Sequence, residues 1–465
     1  MNDLHRLSAC EGADLIRKGE LSPVELTRSA LERIERLDPS IHAFIKVDEE
    51  GALHAARLAE KEVKAGNIRG SLHGVPVGIK DIIDVKGLPT TCHSKVLQHN
   101  IATSDAECVR LLRESGAIII GKLATYEFAT GGVSQDLPWP PARNPWDQSR
   151  HPGGSSSGSG AAVAAGFVPF ALGTDTGGSV RHPAGACGVV GLKPTYGMVS
   201  RRGVFPLSPP LDTVGMLART VHDIACASDV LFAYDKLDSG SARRRREGSV
   251  GSDIDLPLKG LRVGFVRHFH QEDSHADPEV TAALENVANA LSGEGADVRD
   301  VRLLPLQDMA AAAMLLQFSH GWSVHARWLS NRPQDYGQIS RQRLMSGAFF
   351  SASELVRANS IRSSAIAAVQ EAFRGCDVLL CANSMDPPCR IDEQEELKRT
   401  LPRQARMPFS LTGHPAIGMS AGMSRLGVPL SLQFVGRYFD ESMLLRVARG
   451  WERISEVDKM YPPLD

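Results

Sequence analysis

The sequence predicts an α/β protein: a β-sheet covered by helices on both faces, preceded by a helical N-terminal arm. Three observations predict it. Short apolar runs at 117–121 (AIIIG), 167–173 (FVPFALG), 261–266 (LRVGFV), 377–381 (DVLLC), 416–420 (AIGMS) and 430–436 (LSLQFVG) have the length and continuity of strands buried on both faces. Segments with helical spacing lie between them, the alternation that covers a sheet with helices. The chain up to about residue 65 is mostly of the helical kind.

Taken in order, Ser22-Pro23-Val24-Glu25 is a capping box with proline at the first helical position, and Leu26, Ala30, Ile34 and Leu37 continue at helical spacing. A strand is expected over 41–47 (IHAFIKV), then a long charged helix, then the Val75–Asp81 run VPVGIKD. A helix should begin near Asp105 and lead into 117–121. The organisation expected is a single unit over 1–465: an arm to about 65, a core over about 70–235, a less regular, substrate-shaping region over about 237–375, and a return to the sheet over about 376–465.

The 465 residues are 42% hydrophobic and 23% charged, which excludes disorder as the main state. Basic and acidic residues, 52 against 54, nearly cancel, so no global field attracts nucleic acid or an anionic membrane, and neither partner is expected. The run Arg243-Arg244-Arg245-Arg246 lies in a Ser/Gly/Asp-rich stretch and reads as a solvated loop. The charged N-terminus has no signal-like apolar region, and no window suggests a membrane span. Eight cysteines (10, 92, 108, 187, 226, 376, 381, 389) form no CxxC pair, which argues against a zinc ribbon or a disulfide framework, and a cytoplasmic protein without metal or other cofactor is expected.

Glycine and serine crowd two stretches, 153–160 (GGSSSGSG) and 174–181 (TDTGGSVR), on either side of an apolar segment that a flexible linker would not contain. Ser156 formally matches the G-x-S-x-G elbow, but residues 144–152 (NPWDQSRHP) are not the strand that this motif requires. The second stretch does follow a strand. Its amides at Thr176, Gly177 and Gly178 could converge on one oxygen without side-chain obstruction.

Together the run 153–197 (GGSSSGSGAAVAAGFVPFALGTDTGGSVRHPAGACGVVGLKPTYG), the upstream 74–91 (GVPVGIKDIIDVKGLPTT) and the downstream GHPAIGMSAG and PLSLQFVG resemble the amidase signature family over most of the chain. The resemblance implies that family's fold, with a large mixed central sheet, and its Ser–cis-Ser–Lys triad on Ser179, Ser155 and Lys80. It also implies an oxyanion hole made by the amides of Thr176, Gly177, Gly178 and Ser179. Each residue type has a chemical reason. A serine needs a base, a lysine is a base only when neutral, and burial away from carboxylates makes it so. Asp81 would spoil this if it faced Lys80, but strand alternation points it the other way.

The activity expected is hydrolysis of an amide, urea or carbamoyl bond of a small molecule through an acyl-enzyme. The alternative is the glutaminase subunit of a tRNA-dependent amidotransferase. A non-catalytic binding protein on the same scaffold is a remote third reading. Residues 127–143 (EFATGGVSQDLPWPPAR) depart from the serine/glutamate pattern of that amidotransferase component and favour the hydrolase. A homodimer paired through the N-terminal helices is an open expectation.

Other residues are weighed against simpler readings. Lys193 lacks a P-loop context and reads as structural. His268, His270 and His275 read as a polar loop, and Cys187 as a small buried thiol. Tyr126, Arg181, Phe318 and Trp322 are the candidate substrate contacts, Arg181 being equally able to orient the loop. Met314, Phe349 and Phe350 read as core, and core is also the simpler reading of Phe318 and Trp322.

Overall fold

The computed structural model describes residues 3–243 and 248–464; most of the expected basic loop, at 244–246, lies outside the described residues. Eleven strands form one mixed sheet. They are β1 (Phe44–Val47), β2 (Pro76–Lys80), β3 (Ile118–Leu123), β4 (Phe170–Asp175), β5 (Val190–Lys193), β6 (Thr213–Ala218), β7 (Arg262–Phe265), β8 (Asp297–Asp300), β9 (Val378–Ala382), β10 (Ala416–Met423) and β11 (Pro429–Gly436). Their order is β1-β3-β2-β4-β6-β5-β10-β11-β9-β7-β8. β2 runs parallel to β3 and β4, and β7 parallel to β8 and β9, while the pairs between these blocks are antiparallel.

Both faces are covered, as the sequence pattern predicts. Phe170, Leu172 and Met216 point into the larger apolar core, and their neighbours Ala171 and Leu217 point into a second core beneath the other face. The second core includes Ala161, Ala162 and Val163 of the helix Ser157–Ala164, so the apolar segment between the glycine-rich stretches is interior. No helix among the described residues is long and apolar enough to cross a membrane.

The arm follows its caps. Ser8 and Glu11 close a capping box at the helix Ala9–Arg17, and Ser22 and Glu25 close another at Pro23–Ile41. That helix consumes the start of the strand expected from 41 and ends at His42 in the left-handed conformation, so β1 spans only Phe44–Val47. The region 237–375 differs from the expectation of irregular structure. It holds the long helices Pro278–Gly293, Leu306–Asn331 and Ala352–Gly375, besides β7 and β8. His268 and His270 also differ. They lie on the short helix His268–Gln271 and are buried, because His270 stacks on Phe265 with ring centroids 5.5 Å apart. His275 is exposed, as expected of a loop.

Parallel pairing of β2 with β4 brings their carboxyl ends together, and these ends carry Lys80 on one strand and Thr174-Asp175 on the other. Immediately after Lys80 the chain turns Asp81 away into a closed pair with Lys122 of β3, at 3.1 Å and with both side chains fully buried. Asp81 also accepts from the Thr91 amide at 3.1 Å. Replacing one member of such a pair strands the other charge in the interior, at about 3–5 kcal/mol. Asp81→Ala should therefore lower unfolding stability by about that amount in urea titration, and Asp81→Leu/Lys122→Met should recover most of it. Equal losses in the single and double variants would show that the pair is not what the site of β2 requires.

Candidate functional site

Lys80 is fully buried, and its Nζ donates to three hydroxyls: Ser155 Oγ at 2.8 Å, Ser156 Oγ at 3.0 Å and Thr174 Oγ1 at 2.8 Å. No carboxylate touches it among the described residues. Burial pushes its pKa down to about 7, opposed by the more distant carboxylates of Asp175 and Asp212. The lysine is thus poised to be neutral near neutral pH.

The peptide Gly154–Ser155 is cis. The Ser156 amide donates to the Ser179 carbonyl at 3.1 Å, which joins the two glycine-rich stretches beside Lys80. Of the hydroxyls gathered there, Ser155, Ser156 and Thr174 are buried, and Ser179 alone keeps partial exposure. Ser156 also donates to the Thr174 carbonyl at 3.2 Å and caps no strand-turn-helix elbow. It is a wall of the lysine pocket.

Asp175, at the end of β4, shapes the turn that carries Ser179. One carboxylate oxygen accepts the Gly178 amide at 2.8 Å and the other the Val180 amide at 3.2 Å. Burial would raise its pKa, but the Arg181 guanidinium outweighs it and holds the carboxyl well below the usual range. The Gly178 amide is therefore committed inside the turn, unlike the expectation that it faces an oxyanion. The amides of Thr176, Gly177 and Ser179 have no acceptor among the described residues, while the Thr176 hydroxyl is tied to Asp212 at 2.6 Å.

Arg181 is not a substrate contact. It is completely buried, and all five donors are spent within the protein: on Asp175 twice, on Ser410 Oγ, on the Arg406 carbonyl and on Gln433 Oε1. Tyr126 does reach the site. Its amide donates to the Ser155 carbonyl at 3.0 Å, and its ring lies over Gly154, where a Cβ would fall 2.2 Å from Cζ. Its hydroxyl is buried without a partner among the described residues, and burial raises its pKa. Phe318 and Trp322 pack instead against Gly347, where a Cβ would fall 2.0 Å from the Phe318 carbonyl oxygen. Met314 and Phe349 are exposed rather than core.

Three contributors escaped the sequence reading. Gln317, one residue before Phe318, places Oε1 3.2 Å from where a Gly177 Cβ would lie. Arg406 lies over Gly178, donates to the Asn383 carbonyl at 2.8 Å and Ser384 Oγ at 2.6 Å, and leaves Nε without a partner among the described residues; burial and then Arg181 lower its pKa to about 9. A cleft of about 860 Å³ is lined by Gly131, Val133, Gln338, Arg343 and Leu397 among others, and Tyr126 packs in the same apolar cluster as Val133 and Leu397. No sequence motif announces any of these, because they come from segments far apart in the chain.

Lys193 is buried on β5 with Nζ on the Pro194 carbonyl at 3.0 Å, and Cys187 is a buried thiol whose Sγ donates to the Pro152 carbonyl at 3.3 Å.

The sequence profile of the amidase family matches residues 25–445. A glutamyl-tRNA(Gln) amidotransferase subunit of Myxococcus xanthus (strain DK1622) is 37% identical over 484 residues, covering 98% of this chain and 99% of that protein. Among solved structures, one from a vestigial protein complex bearing on the origins of an s-triazine catabolic enzyme overlays with a TM-score of 0.90 at 31% identity, over 96% of this chain and 98% of that one. The like-named amidotransferase subunit of Thermotoga maritima overlays with a TM-score of 0.83 at 32% identity, over 99% and 98%. These relatives correct the expectation that nucleic acid plays no part: proteins this similar are named as one component of an amidotransferase of glutamyl-tRNA(Gln). Balanced net charge excludes only a whole-surface field.

Arg181→Met should cost about 3–5 kcal/mol in chemical denaturation, because Asp175 would be left as an uncompensated buried carboxylate. An unchanged unfolding midpoint with a raised KM would instead return Arg181 to the substrate.

Proposed function

This chain belongs to the amidase signature family, enzymes acting on C–N bonds, and from that premise we propose that it cleaves an amide through an acyl-enzyme on Ser179. The observation that carries the reading is Lys80, buried among hydroxyls with its pKa lowered to about 7. Neutral Lys80 draws the Ser155 proton, Ser155 takes that of Ser179, and the Ser179 oxygen attacks the amide carbon. The developing oxyanion meets the Gly177 and Ser179 amides. Collapse expels the amine, which leaves with the proton returned through Ser155, and water then releases the acid by the same relay.

The substrate we propose is glutamine. We read the chain as the ammonia-releasing component of a tRNA-dependent amidotransferase, in place of the stand-alone hydrolase expected from 127–143. Relatives 34–37% identical over nearly the whole chain support it. A second reading, a small-molecule amide hydrolase, is favoured by the better overlay on the s-triazine-associated structure, 0.90 against 0.83. It is also favoured by the divergent segment itself, whose residues Gly131–Asp136 line the cleft. Ammonia release from glutamine, measured on the chain alone and with the other amidotransferase components of its source, separates them. Release that rises with the partners is expected. Turnover of small amides by the chain alone, with none of glutamine in either sample, would establish the second reading.

Ser179→Ala should lose turnover by at least about a thousandfold with the fold intact. Lys80→Arg keeps a charge but cannot deprotonate, so it should be nearly as inactive. Substantial turnover by a folded Lys80→Arg would place the base elsewhere. Because protonation removes the base, kcat/KM should fall about tenfold per pH unit below the Lys80 value of about 7 and level off above it. A flat profile between pH 5 and pH 8 on the free-enzyme limb, a range of about three units, contradicts the lysine base.

A further inference from the structure

Cys10 and Cys226 stand 216 residues apart in sequence, yet their sulfurs lie 2.6 Å from each other. Cys10 sits in the first turn of the helix Ala9–Arg17, and Cys226 on the helix Val221–Leu231, one turn after His222. Ring nitrogen and both sulfurs lie within 4.8 Å of one another. The junction is held in register by the Cys10 amide, which donates to Asp223 Oδ1 at 2.9 Å, and by the Cys10 thiol, 3.8 Å from the His222 carbonyl. Cys10 is buried, Cys226 is half-buried and His222 is exposed, so a small solute reaches the second sulfur and not the first.

The spacing of the sulfurs decides between two chemistries. Two thiolates on one tetrahedral zinc ion, each about 2.3 Å from it, stand roughly 3.8 Å apart. A disulfide closes to about 2.04 Å. From 2.6 Å the pair need approach by only about half an ångström to bond, but must part by more than one to share a metal ion.

We propose that Cys10 and Cys226 form a reversible disulfide that staples the N-terminal arm to the helix beneath the sheet, with hydroperoxides as oxidant. The proton shared between the sulfurs and the neighbouring His222 lower the Cys226 thiol, while that shared proton and burial raise Cys10. Cys226 is therefore the attacking thiolate. Its sulfur attacks one oxygen of hydrogen peroxide, forming an S–O bond as the O–O bond breaks; Cys226 becomes a sulfenic acid, and the other oxygen leaves as hydroxide and takes the proton lost by the Cys226 thiol, giving water. The Cys10 sulfur then attacks the sulfenic sulfur, and the departing hydroxide takes the Cys10 proton as a second water. Two thiols lose two electrons, and one hydroperoxide accepts them. A dithiol reverses the bond by exchange.

The test uses the full-length protein with stoichiometric hydrogen peroxide. Alkylation under denaturing conditions should count six free thiols in place of the eight in the sequence. Peptide mapping should find the 10–226 crosslink, and the melting temperature should rise by several degrees, all reversed by dithiothreitol. Cys10→Ser and Cys226→Ser should each abolish crosslink and shift. Mapping on the unsubstituted protein stands even if a variant fails to fold. The proposal is overturned if both cysteines stay alkylatable after peroxide, if Cys226 stops at a sulfinic acid, or if the purified protein carries zinc at one equivalent that Cys226→Ser releases.

Discussion

The ion pair of Asp175 with Arg181 is the constraint on which the rest of the site depends. Both side chains are fully buried, 2.9 Å apart, and neither would survive there alone. The pair does more than cancel charge. The carboxylate folds the chain over itself by accepting the Gly178 and Val180 amides, and the guanidinium reaches Ser410 and Gln433, so residues near the C-terminus brace the turn that presents Ser179. A turn tied at both ends leaves the amides of Thr176, Gly177 and Ser179 without an acceptor among the described residues.

The same economy of charge explains why Lys80 can be a base. Three carboxylates lie near it, and each is occupied. Asp175 is held by Arg181, Asp81 by Lys122, and Asp212 by the Thr176 hydroxyl and the Leu207 and Ser208 amides. With those claims made, Lys80 meets only hydroxyls, which accept its hydrogen bonds without stabilising its charge as a carboxylate would. Had Asp81 faced the other way, the lysine would remain a cation and the relay through Ser155 would have no acceptor.

Much of this was legible in the sequence, and the limits have physical causes. β2, β3, β4, β7, β9, β10 and β11 announce themselves because strands buried on both faces carry continuous apolar runs. β8 (DVRD) is a polar edge strand, β5 (VGLK) is only four residues long, and β6 follows directly on the turn-like residues 206–212 (PLSPPLD). The convergence of Lys80 with Thr174 follows from the parallel β2–β4 pairing, and the orientation of Asp81 follows from strand alternation. Arg181 could not be assigned, since its partners Asn383, Ser410 and Gln433 lie some two hundred residues away or more. Gln317 and Arg406 are contacts of the same long-range kind.

Those contacts explain why the two stretches are so rich in glycine. Gly154 is covered by the Tyr126 ring, Gly177 by Gln317 and Met407, and Gly178, at φ +112°, by the aliphatic stem and Nε of Arg406. A methyl group at 154 or 178 would fall 2.2–2.6 Å from those side chains, far inside contact distance. Of these three, 178 alone has a backbone that itself demands glycine, as Gly153 at φ +76° does beside them. At 154 the demand is for space, because the Ser155 carbonyl must receive the Tyr126 amide while the ring folds back over the chain. The glycines are thus the surface against which three distant segments close, and the serines between them are the groups left inside when they do.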